Sequence, residues 1–191
     1  MDKLKNYFNA ISKINESTWH SILPLFKEET LQKNEYFAEA HKTARKIAFL
    51  ETGVLRAFFI NQEAKDYNKQ FFVGPSIIGA YTSLLTGNIN LIAQQALTDC
   101  VIHTCDYKSL TNLYGECPDL ERFARIIAEY YFLEKEKKEI EIVLLDASQR
   151  YRLFQQEFPT LQQLIPQFHI ASYLGISATQ LSRIRKQFAT R

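Results

Sequence analysis

Gln167-Phe168-His169-Ile170-Ala171-Ser172-Tyr173-Leu174-Gly175-Ile176-Ser177-Ala178-Thr179-Gln180-Leu181-Ser182-Arg183-Ile184-Arg185-Lys186 reads as two short helices joined by a tight turn. Ile170, Leu174 and Ile176 supply the inward set of the first helix and the turn, and Leu181 and Ile184 that of the second. Ala171 is small, so the second helix packs close against the first. Gly175 stands where the first helix must end with positive φ, which glycine adopts at little cost. Ser177 and Gln180 make a Ser-x-x-Gln capping box for the second helix. Thr179, Ser182, Arg183 and Lys186 face outward, with donors suited to bases or phosphates and little to offer a core. This is the pattern of a helix-turn-helix whose second helix enters a major groove. An unpartnered helical hairpin meets the same apolar spacing but leaves the basic outer face unexplained.

The charge distribution points the same way. From Ser148 onward the chain carries Arg150, Arg152, Arg183, Arg185, Lys186 and Arg191, with Glu157 the only acid. That segment is net positive and the rest net negative, an asymmetry that the whole-chain charge of +2 conceals.

At 191 residues, 46% hydrophobic and 23% charged, the chain has room for one large domain or two modest ones of ordinary globular composition. Met1-Asp2-Lys3-Leu4-Lys5-Asn6-Tyr7 lacks the apolar stretch of a secretory signal. No apolar run approaches bilayer length, so a cytoplasmic protein without a membrane partner is expected. Cys100, Cys105 and Cys117 do not have zinc spacing, and His20, His41, His103 and His169 are scattered singly. Neither a metal nor another cofactor is expected, and the thiols read as free cysteines before they read as a redox switch.

Along the chain, the first stretch to about Phe26 reads as helical, with Trp19, Ile22, Leu23 and Phe26 at three- and four-residue steps and Pro24 positioned to shorten it. From about Glu29 to Leu110, short β-rich runs fall at 30–32, 36–38, 46–50, 54–60, 68–73 and 100–104. They are broken at Lys33-Asn34, Thr52-Gly53, Asn61-Gln62, Gly74-Pro75 and Thr86-Gly87-Asn88, which predicts a sandwich or barrel. Pro118 opens a helix to about Leu145. Its stripe of Phe123, Ile126, Tyr130, Leu133, Lys137, Ile140, Leu144 and Ala147 has the width of a coiled-coil seam. Ile126, Tyr130, Leu133, Lys137, Ile140 and Leu144 are its expected dimer contacts, Lys137 weakening it locally; a helix packed on its own β-domain is the competing reading. The opposite face, Glu134, Lys135, Glu136, Lys138, Glu139 and Glu141, reads as a solvated charge run. Asp146 or Ser148 caps a further helix, 149–158, closed by Pro159. The domains expected are 1–146, with the dimer helix at about 118–145, and 147–191.

A helical lead, a β-rich region, a long helix and a C-terminal helix-turn-helix together resemble the cyclic-AMP-receptor/FNR family of bacterial transcription regulators. Phe49-Leu50-Glu51-Thr52-Gly53-Val54-Leu55-Arg56 looks like the family's glycine turn between roll strands, and Ile77-Ile78-Gly79-Ala80-Tyr81 like the start of its phosphate-binding cassette. Leu181-Ser182-Arg183-Ile184-Arg185-Lys186 resembles members with shortened C-terminal domains. The resemblance implies an α+β fold: an N-terminal β-roll (double-stranded β-helix, cyclic-nucleotide-binding-like), a long dimerisation helix and a small all-α reader. It implies a homodimer on an inverted-repeat operator. Arg183, Thr179, Ser182, Lys186, Ser177, Gln180, Arg185 and Gln167 are then the DNA-contacting candidates, Arg183 as the reader of guanine.

The departures from the family pattern bear on the effector. Ala80 stands where nucleotide binders place a glutamate for the ribose, and Asn90 and Leu91 stand where they place an arginine and a small hydroxyl for the cyclic phosphate. A buried phosphate without a cation is costly, so cyclic AMP is not the expected effector. The pocket candidates Ile78, Gly79, Ala80, Tyr81, Leu84, Asn90, Leu91 and Tyr130 would instead suit a less charged, unidentified small molecule, or none. The iron–sulfur cysteine cluster of oxygen-sensing members is absent, and only 159–167 separates the helices where winged members insert a hairpin. Double-stranded DNA, a second copy of the chain and RNA polymerase are the partners implied. The competing class is a cupin-like metal enzyme with a helical tail, for which His41 and His103 are the only histidines in the β-rich region.

Overall fold

A computed structural model describes residues 1–61 and 66–189. Gln62, part of one expected break, and Arg191, part of the basic tally, lie outside them. The chain is α+β. Helices α1 (Asp2–Ile11) and α2 (Glu16–Ile22) lead through a single tight turn at Leu23–Leu25, where Pro24 ends the helix. Eight strands follow: β1 (Lys27–Leu31), β2 (Tyr36–Ala38), β3 (Lys46–Thr52), β4 (Val54–Ile60), β5 (Asp66–Val73), β6 (Ser76–Gly79), β7 (Ala93–Ala96) and β8 (Cys100–Asp106). Helix α3 (Tyr81–Thr86) interrupts them, and α4 (Tyr107–Thr111), α5 (Pro118–Leu144), α6 (Ala147–Glu157), α7 (Leu161–Leu164), α8 (Gln167–Leu174) and α9 (Ala178–Ala189) complete the chain.

The strands form two four-stranded sheets, ordered β1-β8-β3-β6 and β2-β7-β4-β5. Strands β6 and β7 escape sequence reading: each is four residues long, and Ala93-Gln94-Gln95-Ala96 has no β-branched residue. In the sheets, β7 lies between β2 and β4, and β6 is the edge strand beside β3.

Strand alternation builds two cores from one sheet. In β3, Ala48 and Leu50 point one way, joining Leu55, Phe72, Ile78 and Ile102 inside the roll. Phe49 points the other way, into a second core with Phe8, Trp19, Ile77, Cys105, Leu120 and Phe123. That second core fastens α1, α2 and the first half of α5 to the outside of the roll. Phe8 stacks on Phe123 with centroids 3.8 Å apart. Phe123 is therefore core, a correction to its place on the expected seam. It lies at one end of the stripe, where the roll itself covers the helix.

Further along α5, Tyr130, Leu133, Ile140 and Leu144 are exposed together with Phe132, Ile142 and Val143, the last at 81%. Lys137 is exposed and Ile126 half-buried. The helix ends at Leu144, so Ala147 begins α6 instead of extending the stripe. Asp146 is the α6 cap, with a reciprocal bond pair to Gln149 at 2.9 Å each. The compact units are Met1–Ala57 with Phe71–Phe132, and Phe58–Gln70 with Leu133–Arg191.

Candidate nucleic-acid interface

Helices α8 and α9 meet as their spacing predicts. Ile170, Ala171, Leu174, Leu181 and Ile184 are buried between them, and Ile176 is half-buried in the turn. Gly175 has φ 68°, ψ 31°, the left-handed conformation that ends α8. Its N–H donates to Ser172 O and that of Ile176 to Ala171 O, satisfying carbonyls that a helix end leaves open. The capping box is reciprocal: Gln180 N–H donates to Ser177 Oγ at 3.1 Å, and Ser177 N–H to Gln180 Oε1 at 3.0 Å.

Outside this corner Thr179, Ser182, Arg183, Arg185 and Lys186 are exposed. Gln167, Ser182, Arg185 and Lys186 converge with Ala178 on one recess of about 390 Å³. Arg183 and Thr179, four apart, lie on an adjacent stripe of α9. Ser177 and Gln180 are also exposed, but Ser177 Oγ and Gln180 Oε1 serve the cap.

Not all of the basic surplus belongs to this face. Arg150 turns inward: its guanidinium donates to Leu174 O at 3.1 and 3.3 Å and to Leu145 O, so it holds helix ends together. Arg152 lies 5.5 Å from the Phe188 ring. The charge run on α5 also needs correcting. Glu141 is only 6% exposed and pairs with Lys138 at 3.3 Å, while Lys138 Nζ sits 4.1 Å from the Tyr173 ring centroid. Tyr173 of α8 meets this end of α5 at Lys138, while Lys135, Glu136 and Glu139 of the run stay exposed. Sequence spacing alone carries no sign of it.

A further contact invisible in sequence comes from the β4–β5 hairpin. Asn68 N–H donates to Ser172 Oγ at 3.0 Å, and Ser172 Oγ donates to Asp66 O at 2.7 Å. Asn68 Nδ2 donates to His169 O at 2.9 Å and lies 3.3 Å from His169 Nδ1. These bonds link residues about a hundred positions apart, which no local pattern encodes.

The cassette candidates divide. Ile78 and Ala80 are buried and Leu84 half-buried, whereas Tyr81, Leu91 and Tyr130 are exposed. Asn90 is buried, and its amide serves the backbone: Nδ2 donates to Ile92 O at 2.6 Å and Glu39 O at 3.3 Å, and Oδ1 accepts from Ile92 N–H. Gly79 O accepts from Gln94 Nε2 at 2.9 Å, and buried Ser83 accepts from Ala44 N–H at 3.0 Å. Gln94 and Ser83 are buried polar residues beside the cassette positions that the sequence pattern does not single out. A cavity of about 40 Å³ does exist, but on the helical side of β3 and β6, walled by residues such as Phe8, Ile47, Ile77 and Phe123; of the candidates only Tyr81 reaches it.

His103 is fully buried and its Nε2 donates to Glu51 Oε2 at 2.8 Å. His41 occupies a turn at φ 64°. Among the described residues, no group of three or more His, Cys, Asp or Glu is placed to hold a metal. The three cysteines are buried and free, and burial pushes the Cys105 thiol up to about 11. Among the same residues, no helix is long and apolar enough to cross a membrane.

No family model matches the sequence, and no curated protein matches it. Solved structures do. FixK2 from Bradyrhizobium japonicum superimposes with a TM-score of 0.77 at 17% identity, over 86% of this chain and 85% of that one. The c-di-GMP-responsive global regulator CLP from Xanthomonas campestris gives 0.71 at 14% identity, over 92% of each. A chain from Eubacterium rectale assigned to the CRP/FNR family of transcriptional regulators gives 0.72 at 12% identity, over 93% and 84%. The chain has the CRP/FNR fold. At these identities the likeness concerns the fold.

Proposed function

We propose that the chain is a homodimeric, sequence-specific DNA-binding regulator of transcription that works in the cytoplasm and is not an enzyme. The observation that carries this reading is the exposed polar and basic face of α9, set on a corner whose turn, cap and apolar seam are all formed. Arg183 grips guanine O6 and N7, with Thr179 and Ser182 reading neighbouring edges. Gln167, Arg185 and Lys186 take backbone phosphate in the recess they share. Because the cap uses Ser177 Oγ and Gln180 Oε1, phosphate contact there falls to the backbone amides and Gln180 Nε2.

The exposed stripe Tyr130, Leu133, Ile140 and Leu144 is the dimer seam, flanked by Ile126 and Lys137. A two-fold dimer reads a two-fold site, so the operator is an inverted repeat with half-sites about one turn, ~34 Å, apart. The division of labour falls at Asp146, where the α6 capping box begins: 1–146 forms the roll and dimer helix, and 147–191 the reader. The effector is not cyclic AMP, because Asn90 supplies no cation and its amide is spent on backbone groups. It is a small, weakly charged molecule or none. RNA polymerase is the partner on the operator. That the solved relatives include regulators of transcription supports this reading.

Selection of bound duplexes from a random pool by the purified chain tests it. The expected result is enrichment of one inverted repeat. A pool with no enriched sequence would overturn the proposal.

A further inference from the structure

Three helices meet where the long helix ends. Arg150, in the first turn of α6, donates through Nη1 to Leu145 O, one residue beyond α5. Through Nε and Nη2 it donates to Leu174 O, the last residue of α8 before the Gly175 turn. Both carbonyls lie at helix C-termini, where unpaired oxygens and the helix dipole favour a cation. The planar guanidinium spans the two in a way that an ammonium cannot. A second tie lies on the flank of α8: Lys138 of α5 covers the Tyr173 ring at 4.1 Å and is held there by buried Glu141. Helix α8 is thus bound to α5 at its end and along its side.

We propose that Arg150 and the Lys138–Tyr173 contact are positioning residues that hold the reader at one angle on the end of α5, and thereby select the spacing between half-sites. The proposal rests on the dimeric DNA-binding reading above. Adding one base pair between half-sites shifts a major groove by ~3.4 Å and rotates it by ~35°, from the helical repeat of DNA. A reader fastened at two points cannot follow that change; one released from α5 can.

The test uses the full chain and operators whose half-sites are identical but whose spacing differs by one or two base pairs. The wild type is expected to lose about tenfold or more in affinity off the preferred spacing. The double variant Arg150→Gln/Lys138→Met is expected to discriminate less than about threefold while its affinity for an isolated half-site stays within about threefold of wild type. Tyr173→Leu removes the ring without touching Arg150 and should give an intermediate result. Equal spacing discrimination in wild type and double variant would overturn the proposal. Absence of half-site binding by the wild type would instead overturn the DNA reading.

A DNA-free measurement separates the two. Nitroxides attached to Glu136→Cys and Ser182→Cys, with the native cysteines buried and the labelled chain diluted in unlabelled, should report one narrow α5–α9 distance in the wild-type background. The double variant should broaden it. An unchanged distribution would overturn the proposal whatever the DNA result.

Discussion

Arginine illustrates how one residue type serves opposite ends in this chain. Arg183 is exposed on α9, whereas Arg150 is spent on two helix ends. Arg183→Ala should therefore cost roughly 1–3 kcal/mol at one base pair per half-site and relax preference there. Lys186→Ala should weaken all sequences alike and flatten the salt dependence of binding. Titrations against single-base operator variants at two ionic strengths check both; unchanged preference in Arg183→Ala would reduce that residue to a phosphate contact. Glycine matters at one position for steric reasons as well as conformational ones. Gly53 has φ 104°, and a Cβ there would lie 2.5 Å from Cys100 Sγ and 2.7 Å from Asp99 O. Gly53→Ala combines strain and overlap, and denaturant unfolding should register a loss of roughly 2–4 kcal/mol.

Among the elements, α5 does different work along its length. Its first turns anchor the helical lead: Asp119 accepts from Asn15 N–H at 2.7 Å and Thr18 Oγ at 2.8 Å. Burial pushes its carboxyl up, but these bonds outweigh it and hold the carboxyl below the usual range. A depressed native value means the stabilisation is present above the unfolded-chain value and is lost as pH falls through the native one. Asp119→Asn should then cost roughly 0.5–1.5 kcal/mol near neutral pH and flatten the acid limb of stability against pH, as thermal melts from pH 7 to pH 3 would show. The later turns present Leu133 and Ile140 to solvent. Leu133→Lys/Ile140→Lys should yield a folded monomer with far weaker operator binding, because one half-site supplies only part of the contacts. Sedimentation of a wild-type monomer at micromolar concentration would remove the basis for that expectation.

For the whole molecule, the proposed function excludes cyclic nucleotides as effectors. Leu50, Leu55, Phe72, Ile78 and Ile102 fill its interior, and Tyr131 OH donates to Ile77 O at 2.7 Å. Calorimetry with cyclic AMP and cyclic GMP should show no binding below about millimolar concentration, since Asn90 and Leu91 bring no cation to offset burial of the phosphate. Micromolar binding of either would mean that a cation outside the cassette positions reaches the nucleotide.

Local signals carried most of this reading. Period, cap and turn residues lie within a few positions of one another, so the α8–α9 corner, its capping box and the positive φ at Gly175 were legible in the sequence, as were the long helix and six of the eight strands. What tertiary structure alone decided depends on groups far apart in the chain. It added β6 at the edge of one sheet and β7 inside the other, both too short to show a period. It turned Phe123 from seam to core, spent Asn90 on the backbone, and pinned Asn68 to His169 across a hundred residues. Above all it buried Glu141 and drew Arg150 off the basic face, because a charge is exposed or paired according to what packs over it, and residue spacing does not record that.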